Sequence, residues 1–158
     1  MAAWTVYLSL CLLVALTASE EIDPVVNERC AACLDGWYAF ECRCFKFFNY
    51  ALTWIDAEKF CMDYDANLAS VHSNDEYMLI QNLVRYETGG STRAWIGGHD
   101  AVQEGFWLWS DGTKMNFQTW SPGEPDNDGY EHCIEMNYNY GNWNDDSCFV
   151  TKPFVCGN

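Results

Sequence analysis

Apolar positions follow three textures along the 158 residues, and each predicts a different kind of element. The first is the uncharged run from Trp4 to Thr17, which has the length of a secretory h-region and is followed by Ala18, Ser19 and the acidic Glu20 and Glu21. It predicts a signal peptide over residues 1–19, cleaved between Ala18 and Glu20, although no Lys or Arg precedes the run. A membrane anchor is the competing reading, but spanning takes about 20 apolar residues. No other segment is long enough, so the sequence predicts a secreted, extracellular chain without membrane insertion. Residues 20–32 carry acid, one Pro and no periodicity, the pattern of a short acidic tail.

The second texture is helical. Ahead of it, aromatic residues from Trp37 to Phe48 surround the Cys42 to Cys44 segment, as strands in a small hairpin would. Thr53 with Asp56 three residues later predicts a helix start, and Trp54, Ala57, Phe60, Cys61 and Tyr64 recur at helical spacing. Ser73 with Glu76 repeats the signature, and Tyr77, Ile80, Leu83 and Val84 mark one face of a second helix that ends near Gly89 and Gly90. Both stripes read as core faces rather than cofactor sites.

After Arg93 the texture changes to short aromatic strands, Ala94 to Gly98 and Phe106 to Trp109. From Ser110 to Glu131 no period of 2.0 or 3.6 holds, and Gly, Pro, Asn and Asp dominate. Loops this long inside a compact domain are either disordered or functional. Phe117, Trp120 and Tyr130 within it, and the strand-like stretches His132 to Met136 and Phe149 to Cys156 after it, predict an anchored and functional loop.

Composition narrows the partners. A chain that is 49% hydrophobic and 16% aromatic has the material for a core, and its length fits one domain. Its net charge of −15 opposes binding to nucleic acid and to anionic membrane surfaces, while acidic surfaces attract cations, calcium among them. With Cys11 removed in the signal peptide, eight cysteines remain: Cys30, Cys33, Cys42, Cys44, Cys61, Cys133, Cys148 and Cys156. An even number in an exported chain predicts disulfides, and a zinc site on Cys30-x-x-Cys33 lacks a matching partner pair. Spacing alone leaves the connectivity open.

Candidate chemistry is concentrated late in the chain, in Glu124-Pro125-Asp126, Glu131 and Trp143-Asn144-Asp145. Every polar member offers oxygen, as calcium requires, and none offers the imidazole or thiolate that zinc or copper favours. A solvated acidic loop without a site is the plainer alternative. Catalysis finds no support: Gly-x-Ser-x-Gly, His-Glu-x-x-His and Gly-x-x-x-x-Gly-Lys are absent, and the three histidines are scattered. Glu124 and Glu131 imitate a glycosidase pair, but calcium would hold both ionised where that chemistry needs one protonated acid.

Cys33-Leu-Asp-Gly-Trp37 leading to Cys44-Phe45, the strand Trp95-Ile96-Gly97-Gly98, Phe106-Trp-Leu-Trp109-Ser-Asp-Gly112, the Glu-Pro-Asp triplet, Trp143-Asn-Asp145, and Cys61, Cys133, Cys148 and Cys156 occur in one order. Any one of these is weak evidence. The ordered set resembles a C-type lectin domain, over residues 33–157 and so over essentially the whole mature chain. The resemblance implies an α+β fold of two helices, small antiparallel sheets and a long calcium-binding loop, stabilised by disulfides. It pairs Cys61 with Cys156, Cys133 with Cys148 and Cys33 with Cys44, leaving Cys30 and Cys42 to join each other or to link a homo-oligomer.

By the same resemblance, Glu124, Asp126, Glu131, Asn144 and Asp145 form the principal calcium site, with a cis Glu124–Pro125 bond, and the same side chains bind vicinal sugar hydroxyls. The triplet departs from both standard forms: Glu-Pro-Asn resembles mannose-type sites and Gln-Pro-Asp galactose-type sites. Four carboxylates with Asn144 as the one amide donor predict relaxed recognition of mannose- or galactose-type hexoses. Tyr130 either lays its ring on a sugar or anchors the loop. A second calcium site resembles Asp100 and Glu104, completed by Asn127 or Asp128 with Glu131 shared, but His132 stands where an Asp would close it. The function so implied is calcium-dependent glycan binding in innate defence. The compact chain also resembles the secreted single-domain lectins of fish, a group that includes type II antifreeze proteins, so ice binding on the same loop is the alternative, with non-sugar protein or mineral binding behind it.

Overall fold

The computed structural model describes residues 30–158; the expected signal peptide and the tail up to residue 29 lie outside the described residues. Strands β1 (Tyr38–Phe40) and β2 (Arg43–Leu52) form the hairpin predicted around Cys42 and Cys44. Helix α1 (Trp54–Met62) begins where the Thr53 hydroxyl accepts the Asp56 N–H at 3.3 Å. It ends sooner than the periodicity predicts, because Asp63 and Ala66 donate back to the carbonyls of Phe60 and Cys61 and turn the chain. Tyr64 therefore lies beyond the helix, yet its ring still packs on Phe48 and Phe60.

A short strand β3 (Asn67–Leu68) follows, and then α2 (Asn74–Thr88), capped by the Ser73 hydroxyl on the Glu76 N–H at 3.1 Å. Gly89 closes α2 in the left-handed conformation, φ 77°, which a side chain would resist. The second half of the chain supplies β4 (Ala94–His99), β5 (Leu108–Trp109), β6 (Cys133–Met136), β7 (Asn144–Asp146) and β8 (Lys152–Gly157). The strand expected from Phe106 is confined to β5, since Gly105 takes a positive φ of 74° and Phe106 donates to the Gln103 carbonyl. The strand expected from Phe149 starts at Lys152, after a turn in which Val150 donates to Ser147.

These strands are mostly antiparallel, as expected, and are joined in one sheet of order β1-β2-β8-β4-β6-β7, with β3 on β8 and β5 on β4. The join is a single parallel contact, Trp95 against Phe154. Strands β4 and β8 are buried on both faces. Ile96 and Val155 enter the core beneath α2 with Ile80, Val84 and Ile134, whereas Trp95 and Phe154 enter the core beneath α1 with Ala57 and Leu68. Gly97 admits this close packing, because a Cβ there would strike the Leu68 carbonyl.

Four disulfides fasten the frame: Cys30–Cys42, Cys33–Cys44, Cys61–Cys156 and Cys133–Cys148. Cys30 and Cys42 thus join each other. The Cys61–Cys156 bond ties α1 to β8 across 95 residues and so removes the most freedom from the unfolded chain. Among the described residues no helix is long and apolar enough to cross a membrane.

Glu58, buried on α1, binds the start of the long loop to this frame. Its carboxylate accepts from Asn67 Nδ2 at 2.6 Å, from the Leu68 N–H at 2.7 Å and from Ser110 Oγ at 3.0 Å. Glu58→Ala orphans a buried backbone donor, and urea unfolding should show a loss of about 1–3 kcal/mol. An unchanged midpoint would show that these bonds contribute nothing to holding loop and helix together.

Candidate metal centre

The long loop is fixed at its root by tryptophan packing. Trp143 is fully buried and meets Tyr77, Trp109, Phe117 and Trp120 edge to face, with ring centroids 5.6 to 5.9 Å apart. Its backbone accepts from Ser121 N–H at 2.8 Å and donates to the Thr119 carbonyl at 2.9 Å, so the loop and the approach to β7 are paired like strands. Beyond Ser121 the chain turns sharply through Gly123, φ 101°, and the cis Glu124–Pro125 bond. The Asp145 carboxylate then captures the tip: Oδ1 accepts from Asp126 N–H at 3.2 Å and Oδ2 from Asn127 N–H at 2.9 Å.

This folding brings carboxylate oxygens of Glu124, Asp126 and Asp145 within 4.8 Å of one another. Glu131 and Asn144 line the same cleft, of about 320 Å³, together with Asp128, Asp146, Arg93 and Tyr138. Glu124 Oε2 is buried without a hydrogen-bond partner. Burial first, and then the Asp145, Asp146, Asp126 and Asp128 carboxylates, push the Glu131 carboxyl up to about 7. Burial likewise raises Glu124, with Asp126, Asp145 and Glu135 adding to it, and raises Asp145 against the opposing effect of its backbone hydrogen bonds. Carboxylates crowded into one cleft, with an unpartnered buried oxygen among them, fit a divalent cation and repel one another without one.

Asn144 departs from expectation in one respect. Its Nδ2 donates to Glu135 Oε1 at 3.0 Å and to the Asp145 carbonyl, which leaves its side-chain oxygen for the cleft and turns its donors away from it. Glu135 is fully buried behind the cleft and is met by Lys152 Nζ at 2.8 Å and Arg93 at 3.4 Å. Lys152 also holds Asp146 at 2.6 Å and lies over the Trp95 ring, while Arg93 lies over Tyr138. No motif in the sequence marks Arg93, Glu135, Asp146 or Lys152 as part of the site. The available signal was a Glu in the otherwise apolar strand Cys133–Met136, which marks a buried charge in need of a cation.

A second group gathers the ligand atoms of Asp100, Glu104 and His132 within 4.8 Å. Here His132 Nδ1 lies 2.8 Å from Asp100 Oδ1 and 3.6 Å from Glu104 Oε2, and Asn127 Nδ2 donates to Glu104 at 2.6 Å. The other Asp100 oxygen accepts from Gly105 N–H at 2.7 Å, and the Asn127 oxygen accepts from Glu131 N–H at 2.8 Å. The side chains are spent on one another, with an imidazole between the carboxylates. Of the two residues offered to complete this group, Asn127 joins it and Asp128 lines the first cleft, where Glu131 also lies. Tyr130 stands 83% exposed at φ 69° and is no loop anchor.

Comparison with known proteins agrees with this architecture. A family model described as Lectin C-type domain matches residues 50–158. The chain is 40% identical to ladderlectin of Oncorhynchus mykiss, covering 97% of this chain and 92% of that one. It is 38% identical to the galactose-specific lectin nattectin of Thalassophryne nattereri, covering 97% and 94%. The herring type II antifreeze protein superposes with a TM-score of 0.74 at 36% identity, over 80% of this chain and 98% of that one. With its family signature, its paired cysteines and its loop of clustered carboxylates, the chain belongs to the C-type lectin domain family.

Proposed function

We propose that the chain, secreted after loss of residues 1–19, is a lectin that binds hexose hydroxyls through calcium held by Glu124, Asp126, Glu131, Asn144 and Asp145. The observation that carries this reading is the buried, unpartnered Glu124 oxygen beside the Asp126 and Asp145 carboxylates. A carboxylate oxygen shut from water with no donor to meet it is satisfied by a cation in the cleft. The donor set is all oxygen, which suits calcium better than zinc or copper. Membership of the lectin family points to a binding protein rather than an enzyme.

Sugar choice follows from hydrogen-bond polarity. With the Asn144 donors turned to Glu135 and the Asp145 carbonyl, the five ligand side chains offer acceptors, and a sugar hydroxyl held by them must donate while its oxygen faces the ion. Such a site discriminates weakly between mannose- and galactose-type hexoses. The exposed Tyr130 ring beside Glu131 is available to cover a sugar's apolar face. Recognition of microbial or mucosal glycans in innate defence is in keeping with a secreted lectin, and a homo-oligomer would add avidity. Ice binding on the same loop is the second reading, favoured by the likeness to type II antifreeze proteins, including one described as Ca2+-dependent.

The mature protein should be retained on mannose and galactose columns in calcium and released by a chelator. Failure on both columns with measurable thermal hysteresis would replace the lectin reading with ice binding. Asp126→Asn adds an amide donor and should tighten mannose binding by about tenfold, the effect of one good hydrogen bond; a glycan array on which that variant matches the parent removes this account of specificity.

The raised Glu131 carboxyl sets a pH dependence. A carboxyl at about 7 in the folded, metal-free chain and near its ordinary value when unfolded binds more protons folded than unfolded between those values, so its contribution to stability falls as pH rises. Calcium requires the ionised form and reverses the trend. The rise in Tm on adding calcium should therefore be large at pH 8 and small at pH 5.5. Equal increments at both pH values would show that no proton competes with the ion.

A further inference from the structure

A second concavity, of about 750 Å³, opens on the other side of the Glu124–Pro125–Asp126 turn. Pro125 forms part of its wall, while the residues flanking Pro125 supply carboxylates to the cation cleft. Its lining is dominated by Phe106, Trp107, Leu108, Met115 and Trp120, with Lys114 its one charged side chain. In a chain with a net charge of −15, this is a nearly uncharged surface directly beside the most acidic one.

The groove is built rather than incidental. Trp107 and Trp120 lie 4.8 Å apart, and Trp120 rests on the buried Trp143 and donates its indole N–H to Gln118 at 3.0 Å. Trp107, Met115 and Trp120 pack against the core beneath α2, so the floor is rigid. The wall above it is open: Phe106 is 58% exposed and Leu108 36%. Aliphatic and aromatic side chains in this mixture match hydrocarbon, and the polar side chains of the lining, Thr113, Lys114 and Gln118, are few beside them, with Gln118 Oε1 already taken by the Trp120 indole.

We infer that this groove receives the apolar aglycone of a glycoside whose sugar occupies the cation cleft, which makes the preferred ligand an amphiphile such as an alkyl glycoside or a glycolipid headgroup with its first methylenes. The inference rests on the calcium-dependent sugar reading, and it adds a source of affinity that the sugar alone lacks. Each buried methylene contributes a factor of about three to four in affinity. An octyl chain laid in an open groove buries only part of its length, so an advantage of about tenfold or more over a methyl group follows.

The test compares methyl and octyl β-galactosides, and the corresponding mannosides, by titration of the mature protein in calcium with octyl compounds kept below micelle formation. The expected result is about tenfold or tighter binding of the octyl compounds, with that advantage largely lost in Phe106→Ala while methyl glycoside affinity stays unchanged. Leu108→Ala, a second exposed wall position outside the ligand set, gives the same reading should the first variant fold poorly. Equal binding of methyl and octyl compounds overturns the groove and leaves calcium-dependent sugar binding intact. An octyl advantage that survives both substitutions also overturns it. No binding of any glycoside in calcium overturns both readings together.

Discussion

The Asp145 carboxylate is the constraint on which the candidate site depends. It lies buried on β7, in register with Ile134 on β6, and both of its oxygens are bonded to backbone N–H groups of the loop tip. An edge strand of the sheet thereby dictates where Asp126 and Asn127 sit, and the turn around Pro125 then brings Glu124 alongside. The same interaction creates the electrostatic problem, since fixing the loop on Asp145 forces three further acidic side chains toward it. Backbone donors moderate the charge on Asp145, but Glu124 and Glu131 receive no comparable relief.

The surrounding structure limits that repulsion from one side. Lys152 and Arg93 neutralise Glu135 and Asp146 at the back of the cleft, so the excess charge is confined to the face that opens to solvent. Asn144 belongs to both regions, giving its N–H donors to Glu135 and Asp145 and its remaining oxygen to the cleft. Behind them Trp143 supplies the stiffness, held among four aromatic rings. A loop without regular secondary structure is in this way held as firmly as a strand, which is what a preorganised binding surface requires.

Much of this is legible in the amino-acid sequence. The helix starts at Thr53 and Ser73 follow from hydroxyls placed three residues before an acidic residue, and the stop of α2 from Gly89, because those effects act within one turn of chain. The early end of α1 is hidden, since Tyr64 continues the apolar spacing after the backbone has turned away. Strands β3 and β7 escape sequence reading for a related reason: two or three residues are too few to show a period, and their extended form comes from partners far along the chain. The clustering of Glu124, Asp126 and Asp145 is visible as oxygen-rich chemistry, but the hidden cations Arg93 and Lys152 have no motif. The second group differs because His132 introduces a nitrogen between Asp100 and Glu104, and the sequence shows the odd residue without showing the hydrogen bonds it makes.

Isothermal titration of the mature protein with calcium at pH 8 is the most direct test of the claim that the Glu124, Asp126 and Asp145 cluster is a cation site. A saturable binding event that disappears in Asp145→Asn, with the variant still folded by its near-UV spectrum, is the predicted result. Calcium binding that persists unchanged in that variant, or no binding to the parent protein, would contradict it.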